Sequence, residues 1–216
     1  MNIPRALSRL FRANPIGIAL LLIAGRSWYR IYSAFAGHSL GASWLQVGPG
    51  CQILGGRHIS FGKRVYAGRN LWLEAVTAYG SQHFQPKIVI GDSVRFSDGV
   101  HISGIESVIV GSHTLFGSKI YVSDHNHGIY AGEGQSGPDE PPAQRRLGGG
   151  GPVIIGENVW IGENCVIVGP ANIGRGAIIA ANSVVRGVVP AHTMVAGAPA
   201  RPIKAFNFQT GTWDKA

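Results

Sequence analysis

Cysteine is scarce in this chain of 216 residues, which contains only Cys51 and Cys165. Two cysteines cannot build a disulfide framework, so we expect both to be reduced and buried as small residues. Long apolar runs are scarce as well. The run Ile16–Gly25 spans about ten residues, which is too few for a transmembrane helix. The arginines and aromatic residues that follow this run do not suit the cleavage region of a signal peptide.

Acidic residues are missing from the first third of the chain, and Glu74 is the first of them. Because only basic residues precede it, residues 1–73 carry a formal charge of +9. We interpret residues 1–40 as a helical, basic and apolar segment that lies against an anionic membrane surface. A helix packed on the main domain is the equal alternative. Nucleic acid is disfavoured, because the charge is not interleaved with stacking aromatics on a recognisable motif.

The arginines at the N-terminus predict an amphipathic helix over Pro4–Ala13. Arg5, Arg9 and Arg12 recur at spacings of four and three, which places them on one side of such a helix. The apolar residues of the stretch, which are Leu7, Leu10 and Phe11, fall on another side.

Glycine, by contrast, is abundant at 32 residues, and aliphatic residues recur at every sixth position near the C-terminal end. These aliphatic positions are Ile155, Ile161, Ile167, Ile173, Ile179 and Val185. A period of six is neither the helical period nor the alternation of a flat sheet. It predicts a solenoid with three short strands per turn, in which the aliphatic residues point inward and Asn or Gly turns the corners.

The same period continues upstream with interruptions. Its inward positions are Val47 and Ile53, then Phe61, Ala67 and Leu73, then Ile90, Phe96 and Ile102, then Val110, Phe116 and Val122. Larger insertions follow Leu73 and Val122, and loops that leave a rigid scaffold commonly carry function. We therefore expect an all-β solenoid domain over residues 41–190 with a loop at 126–151, preceded by the segment 1–40 and followed by a C-terminal extension, 191–216.

These hexads resemble the left-handed parallel β-helix of the hexapeptide-repeat acyltransferases. Four stretches make the resemblance more specific: SDHNHGIY (123–130), PVIIGENVWIGENCVI (152–167), AANSVVRGVVP (180–190) and AGAPARPIK (196–204). The chain is most similar to bacterial enzymes that O-acetylate lipopolysaccharide O-antigen or exopolysaccharide. Galactoside and maltose acetyltransferases look more distant. The resemblance implies a homotrimer, with acetyl-coenzyme A (acetyl-CoA) in a cleft between neighbouring prisms.

One histidine stands at a corner of the predicted prism. His125 is the fourth residue of the hexad that begins at Val122, and it matches the family's catalytic histidine. An imidazole titrates near neutral pH and can take the proton of a sugar hydroxyl that attacks the thioester directly. A solvated turn histidine is the alternative. Backbone N–H groups near Gly162 and Glu163 are the candidates for holding the oxyanion.

Zinc binding is a competing interpretation of the histidines. A zinc site needs three converging ligands. His101, His113 and His125 occupy hexad positions that face different sides of one prism, and the family's metal spacing of histidines is absent. We therefore expect no metal.

Further residues are assigned to the two substrates. Glu74 is expected to orient His125 or to bind the acceptor, with a surface salt bridge as the alternative. Other acceptor contacts are expected from corner and loop residues, for which turn geometry and solvation are the alternatives: Asn70, Asp124, His127, Arg145 and Arg146. The match to the family assigns the pantetheine arm and the phosphates of acetyl-CoA to Gly117, Trp160, Gly162, Glu163, Ala180, Ala181, Arg186, Arg201 and Lys204.

The expected function is therefore acetyl-CoA-dependent O-acetylation of a cell-surface polysaccharide or its lipid-linked precursor, in the cytoplasm at the inner face of the membrane. N-acetylation of an amino sugar uses the same scaffold, but the extra nucleotide-binding domains usual in such enzymes are not found here. A non-enzymatic β-helical scaffold or binding protein is the third possibility. It needs neither a histidine at the coil corner nor the terminal Arg and Lys residues.

Overall fold

The computed structural model describes the backbone of residues 5–216 and the side chains of residues 7–216. Two helices come first, α1 (Arg5–Ala13) and α2 (Ile16–Ser39). The helix predicted over Pro4–Ala13 is thus confirmed from Arg5 onward, whereas Pro4 lies outside the described residues. All later regular elements are short strands, apart from single 3₁₀ turns at Gly56–His58 and Pro142–Gln144.

The strands follow one another along the chain as β1 (Gln46–Val47), β2 (Gln52–Leu54), β3 (Ile59–Phe61), β4 (Tyr66–Ala67), β5 (Trp72–Ala75), β6 (Ala78–Tyr79), β7 (Gln82–His83), β8 (Lys87–Ile90), β9 (Arg95–Phe96), β10 (His101–Gly104), β11 (Ser107–Val110), β12 (Leu115–Phe116), β13 (Tyr121–Ser123), β14 (Asn126–His127), β15 (Leu147–Gly148), β16 (Val153–Ile155), β17 (Trp160–Ile161), β18 (Val166–Ile173), β19 (Ile178–Ile179), β20 (Val184–Val189), β21 (Thr193–Gly197), β22 (Ala200–Asn207) and β23 (Thr212–Lys215).

Parallel pairing arranges these strands on three faces of a prism. The first face stacks β1, β4, β9, β12, β17, β19 and β21, and the antiparallel strands β22 and β23 extend its far edge. The second face stacks β2, β5, β10 and β13, and the third stacks β3, β8, β11 and β16. The long strands β18 and β20 each run across the edge between the second and third faces. The expected left-handed parallel β-helix is confirmed.

The hexad positions form the core of the prism. On the first face Val47, Ala67, Phe96, Phe116, Ile161 and Ile179 pair in register, and each is exposed by 1% or less. Asn158, Asn164 and Asn182 turn the corners with φ angles of 57°, 56° and 60°. Asn tolerates this left-handed backbone better than most residues because its short side chain bonds locally. The predicted division into inward and corner positions is therefore confirmed for these residues, whereas His125, which was predicted at a corner as well, does not have a left-handed φ.

The end of α2 closes the first coil of the prism. Ser33 is buried, and its Oγ accepts a hydrogen bond of 3.0 Å from the backbone N–H of Val47. Gly37 lies so close to the following turn that an added Cβ would stand 3.2 Å from the carbonyl oxygen of Ala42. The packed-helix alternative is therefore realised at the C-terminal end of α2. Within residues 5–216, no helix combines the length and the apolar character needed to cross a bilayer.

The two large insertions meet outside the prism. The hairpin β6–β7 follows Leu73, and the hairpin β14–β15 closes the base of the loop 126–151. Gln82 joins them, because its Oε1 accepts a hydrogen bond of 2.7 Å from the N–H of Leu147 and its Nε2 donates one of 3.1 Å to the Leu147 carbonyl. Both insertions were expected, but their contact was not.

Candidate active site

His125 lies two residues beyond β13, where the chain leaves the prism for the long loop. Its Nδ1 stands 2.9 Å from Oδ1 of Asp124. The side chain of His125 is 8% exposed and that of Asp124 is fully buried. Because a carboxylate can only accept, Nδ1 donates to Asp124, and a neutral imidazole in this tautomer keeps its lone pair on Nε2. The pair therefore presents a basic nitrogen with a fixed orientation.

Asp124 is held by the neighbouring coil as well as by His125. Its two carboxylate oxygens accept hydrogen bonds of 2.8–2.9 Å from the backbone N–H groups of Ile105, Glu106 and Ser107. Burial works against ionisation of Asp124, but the bonds from His125 and from the backbone outweigh it and hold the pKa of this carboxyl below its ordinary value. Asp124 was assigned to the acceptor, whereas the structure buries it behind His125 as a positioning residue.

The backbone around His125 is fixed from both sides. Ser123 accepts a hydrogen bond from the N–H of His125 and donates one of 2.8 Å to its carbonyl oxygen. The end of the loop that returns to the prism contacts the backbone next to His125, because the N–H of Gly151 donates a hydrogen bond of 2.8 Å to the carbonyl of Asp124. An added Cβ on Gly150 would lie only 2.0 Å from that carbonyl oxygen. Only glycine can therefore occupy position 150 in this backbone.

Two outward rows on the second face lead to His125. Glu74, Ser103 and Ser123 pair across adjacent strands, so that Glu74 is two strands, or about 10 Å, from Ser123. Glu74 therefore shares a face with Ser123 without lying next to it, and its expected role towards His125 or the acceptor stays a prediction. The parallel row contains Trp72, His101 and Tyr121, with the rings of Trp72 and His101 stacked at 4.3 Å.

His101 belongs to this site although the sequence interpretation considered it only as a zinc ligand. Burial lowers the pKa of His101 below its ordinary value, while the charge of Glu74 opposes this shift and His125 reinforces it. The Nε2 atom of His101 is buried and has no hydrogen-bond partner among the described residues. Its outward hexad position, one coil before His125, was the sequence signal that could have identified it.

The loop residues are mostly engaged by the loop itself. Arg145 donates to the carbonyls of Glu140 and Pro138 and to the hydroxyl of Tyr130, so that its guanidinium group holds the loop together. His127 is exposed, and its Nδ1 lies 3.2 Å from the hydroxyl of Tyr79 in the other insertion. Arg146 is exposed beside the same hairpin. Neither Arg145 nor His127 is therefore a free group that faces His125.

The residues assigned to acetyl-CoA divide between two faces. Gly117, Trp160, Gly162, Ala180, Arg201 and Lys204 lie on the first face or its antiparallel extension, and Glu163 and Ala181 follow at its edge. Arg186 instead follows Val185 on the second face, which also carries the row that ends at Ser123. Within one chain, Arg186 and His125 therefore lie at a different face from the other residues assigned to acetyl-CoA.

The close approach of neighbouring coils is enough to explain the small residues of the first face. An added Cβ on Gly117 would come within 2.9 Å of the backbone nitrogen of Glu163, and one on Gly162 within 2.5 Å of that of Ala181. The N–H of Gly162 donates to the carbonyl of Ile179 at 2.8 Å, so it is not free to hold an oxyanion. The expected oxyanion role of Gly162 is therefore wrong for its N–H group. Asn70 was expected to contact the acceptor. Its left-handed φ of 55° fits the corner geometry that was given as its alternative.

Neither cysteine suits the role of a nucleophile, and the potential metal ligands form no metal-binding group in the part of the chain described. Cys51 and Cys165 are free thiols, and burial raises the pKa of both above the ordinary value, which disfavours a thiolate nucleophile. Among residues 5–216, no three His, Cys, Asp or Glu side chains come together as a metal-binding group.

Comparison with known proteins identifies the family of the chain. A family model described as "Bacterial transferase hexapeptide (six repeats)" matches residues 152–187. The protein named "Putative lipopolysaccharide biosynthesis O-acetyl transferase WbbJ", from Escherichia coli (strain K12), is 41% identical over 167 residues, which cover 77% of this chain and 81% of that protein. The chain belongs to the hexapeptide-repeat transferase family. It is an acyltransferase.

Other similar proteins match a smaller part of the chain or match it at lower identity. A 2,3,4,5-tetrahydropyridine-2,6-dicarboxylate N-acetyltransferase from Staphylococcus aureus (strain bovine RF122 / ET3-1) is 45% identical over 76 residues, which cover 35% of this chain and 29% of that protein. AntD, an N-acyltransferase from Bacillus cereus solved with dTDP and 3-hydroxybutyryl-CoA, aligns with a TM-score of 0.58 at 19% identity, over 78% of this chain and 84% of its own. The likeness to AntD shows the fold alone.

Proposed function

We propose that this chain transfers the acetyl group of acetyl-CoA to a hydroxyl group of a cell-surface polysaccharide, such as O-antigen or exopolysaccharide, or of its lipid-linked precursor. The observation that carries the proposal is the Asp124–His125 pair, which leaves Nε2 of the imidazole as a basic atom. A sugar hydroxyl needs such a base to become nucleophilic near neutral pH. The name of the E. coli relative supports oxygen as the acceptor atom.

In the proposed reaction, Nε2 of His125 takes the hydroxyl proton while the oxygen attacks the carbonyl carbon of the thioester. Asp124 stabilises the imidazolium that forms, because its carboxylate already accepts the bond from Nδ1. The tetrahedral intermediate collapses, the carbon–sulfur bond breaks, and the departing thiolate receives the proton from His125. The products are an acetate ester and coenzyme A, with no acyl-enzyme between them.

The acceptor fits the outward rows of the second face. Trp72, which is 40% exposed, offers an apolar ring to the face of a sugar. Glu74, which is half-buried, offers a carboxylate one row away, at the distance of neighbouring outward side chains. The buried, unpartnered Nε2 of His101 is a further polar atom in this place. We assign the acceptor sugar to this face and the acetyl donor to the small-residue row of the first face.

Because the donor and acceptor residues occupy different faces of one prism, the proposed site is completed by a second subunit, and we propose a homotrimer. The first face of one subunit then lies opposite the second face of its neighbour. Mixing two inactive variants tests this arrangement. Subunits with His125→Ala keep Arg201, and subunits with Arg201→Ala keep His125, so mixed trimers contain some complete sites and regain activity. No gain on mixing would contradict a site between subunits.

The acceptor atom is tested by the stability of the product. We expect purified protein to release coenzyme A from acetyl-CoA in the presence of a polysaccharide or its precursor, and to attach an acetyl group that mild alkali removes. An ester is cleaved by such treatment and an amide is not. An alkali-resistant acetyl group on an amino sugar would favour the N-acetyltransferase alternative, which the similar S. aureus enzyme supports.

A further inference from the structure

The side of α2 that faces away from the prism is apolar along most of the helix. Its residues recur at intervals of three and four, which aligns them on one side. They are Leu20, Ala24, Trp28, Ile31 and Phe35, and we call them the apolar stripe. Leu20, Trp28 and Phe35 are exposed by 54%, 64% and 74%. A stripe of this kind needs an occupant, because soluble surfaces rarely align so many large apolar side chains.

The orientation of the stripe is fixed by the opposite side of the same helix. Ala19, Ser33 and Gly37 are buried there, and Ser33 bonds to the backbone of Val47 in the first coil. The helix cannot turn the stripe inward without breaking these contacts. Rotation of α2 therefore does not provide an alternative way to cover the stripe.

Arginines lie on α1 and on the prism side of α2, and none lies within the apolar stripe. Arg26 and Arg30 lie on the prism side of α2, where they line a pocket of about 760 Å³ between the helices and the first coil together with Arg69. Arg9 and Arg12 are exposed on α1. Residues 1–73 contain no acidic residue to neutralise these arginines.

We propose that the apolar stripe docks on an anionic lipid bilayer, with α2 parallel to the membrane surface. The stripe from Leu20 to Phe35 is about 24 Å long and enters the boundary between headgroups and acyl chains. Trp28 lies at the depth where indole rings are favoured. The arginines on the other side of α2 and on α1 remain at the level of the lipid phosphates.

Charge distinguishes this occupant from a second copy of the chain. A second copy offers no acidic residue within residues 1–73 to pair with these arginines. An anionic bilayer neutralises the same arginines. The docking rests on exposure and charge and does not depend on acetyl transfer.

The test uses the full-length protein with vesicles of phosphatidylcholine, with or without phosphatidylglycerol. We expect co-flotation with the anionic vesicles only, and loss of binding at high salt.

The double variant Trp28→Glu and Phe35→Glu should weaken binding by more than about tenfold, since it places charge within the stripe. Val188→Glu is the matched control, because Val188 is 76% exposed on the prism and far from α2 in the fold. The pair Arg9→Gln and Arg12→Gln should weaken binding by about fivefold for each cation removed.

Three outcomes would overturn the proposal. Unchanged binding by the stripe variant, with its circular dichroism spectrum preserved, would remove the role of the stripe. Equal binding to neutral and anionic vesicles would remove the role of charge. A stripe variant that sediments as a smaller species than the wild-type protein in lipid-free buffer would show that the stripe binds a second copy of the chain instead.

Discussion

The core of the prism and the surroundings of His125 are held in place by different interactions. In the core, the rings of Phe96 and Phe116 pack with their centroids 4.8 Å apart and their planes tilted by 40°, inside a column of residues that are repeated from coil to coil. Around His125, single hydrogen bonds join parts of the chain that have no repeat, such as Asp124 to Ile105 and Gln82 to Leu147. The core therefore tolerates changes outside it, whereas the site depends on a few polar contacts that can be removed one at a time.

The largest expected effect separates chemistry from folding. His125→Ala should lower the turnover of acetyl transfer by about 10²–10⁴-fold, which is the usual cost of losing a general base. Stability and coenzyme A binding should change little, because Asp124 keeps its three backbone donors. Turnover and thermal unfolding of the purified protein check both parts. His127→Ala is the matched control and should retain most activity; a loss as large as that of His125→Ala would move the base two residues along.

The opposite result is expected for the core. Phe116→Ala removes a fully buried ring and should reduce the free energy of unfolding by about 3–5 kcal/mol. The turnover per folded molecule should stay near that of the wild-type protein, since Phe116 points into the prism. Denaturant unfolding and an active-site titration measure the two quantities. A variant of normal stability but low turnover would show that the core and the site are not separate in the way described.

Asp124→Asn should affect the site without removing the base. Asparagine keeps one acceptor oxygen, but its NH₂ group replaces the other oxygen and faces groups that donate to Asp124 in the wild-type protein. The substitution also removes the negative charge that stabilises the imidazolium. A hydrogen bond to a charged group contributes about 1.5–3 kcal/mol, so turnover should fall by about 10–150-fold with little change in KM. An equal fall for Asp124→Asn and His125→Ala would mean that the imidazole does not act without its carboxylate partner.

The same carboxylate makes the site more sensitive to acid than the core. The pKa of Asp124 is lower in the folded protein than in the unfolded chain, so its ionised form contributes stability at neutral pH. This contribution is lost as the pH falls below about 4, through the folded-state value. Thermal unfolding between neutral and acid pH should show a smaller acid-induced loss for Asp124→Asn than for the wild-type protein. Parallel curves would indicate that Asp124 does not titrate differently on folding.

The sequence was sufficient to predict the prism but only part of the site. The period of six predicted which residues point inward, because each face of the prism places one residue of every hexad, such as Ile155, Ile161 and Ile167, at its inward position. His125 was found as a chemically unusual residue at a corner position. Neither the partner of Gln82 nor the backbone donors to Asp124 could be found, because they lie many residues away and follow no period. The grouping of His101 with Glu74 required the strand register.

The smallest expected effect tests the contact between the two insertions. Gln82→Ala removes two hydrogen bonds to Leu147, each of which contributes about 0.5–1.5 kcal/mol. Leu147 pairs with His127 at the base of the loop, so the loss should loosen the loop beside His125 and leave the prism intact. Amide hydrogen exchange should increase in residues 126–151 and in the hairpin β6–β7 while the core strands stay protected. Gln135→Ala is a suitable control, because the Gln135 side chain bonds only within the loop tip, at Gly132. Faster exchange in the core strands of Gln82→Ala would show that the insertions stabilise the prism as well as the site. The prism and the surroundings of His125 would then unfold as one cooperative unit.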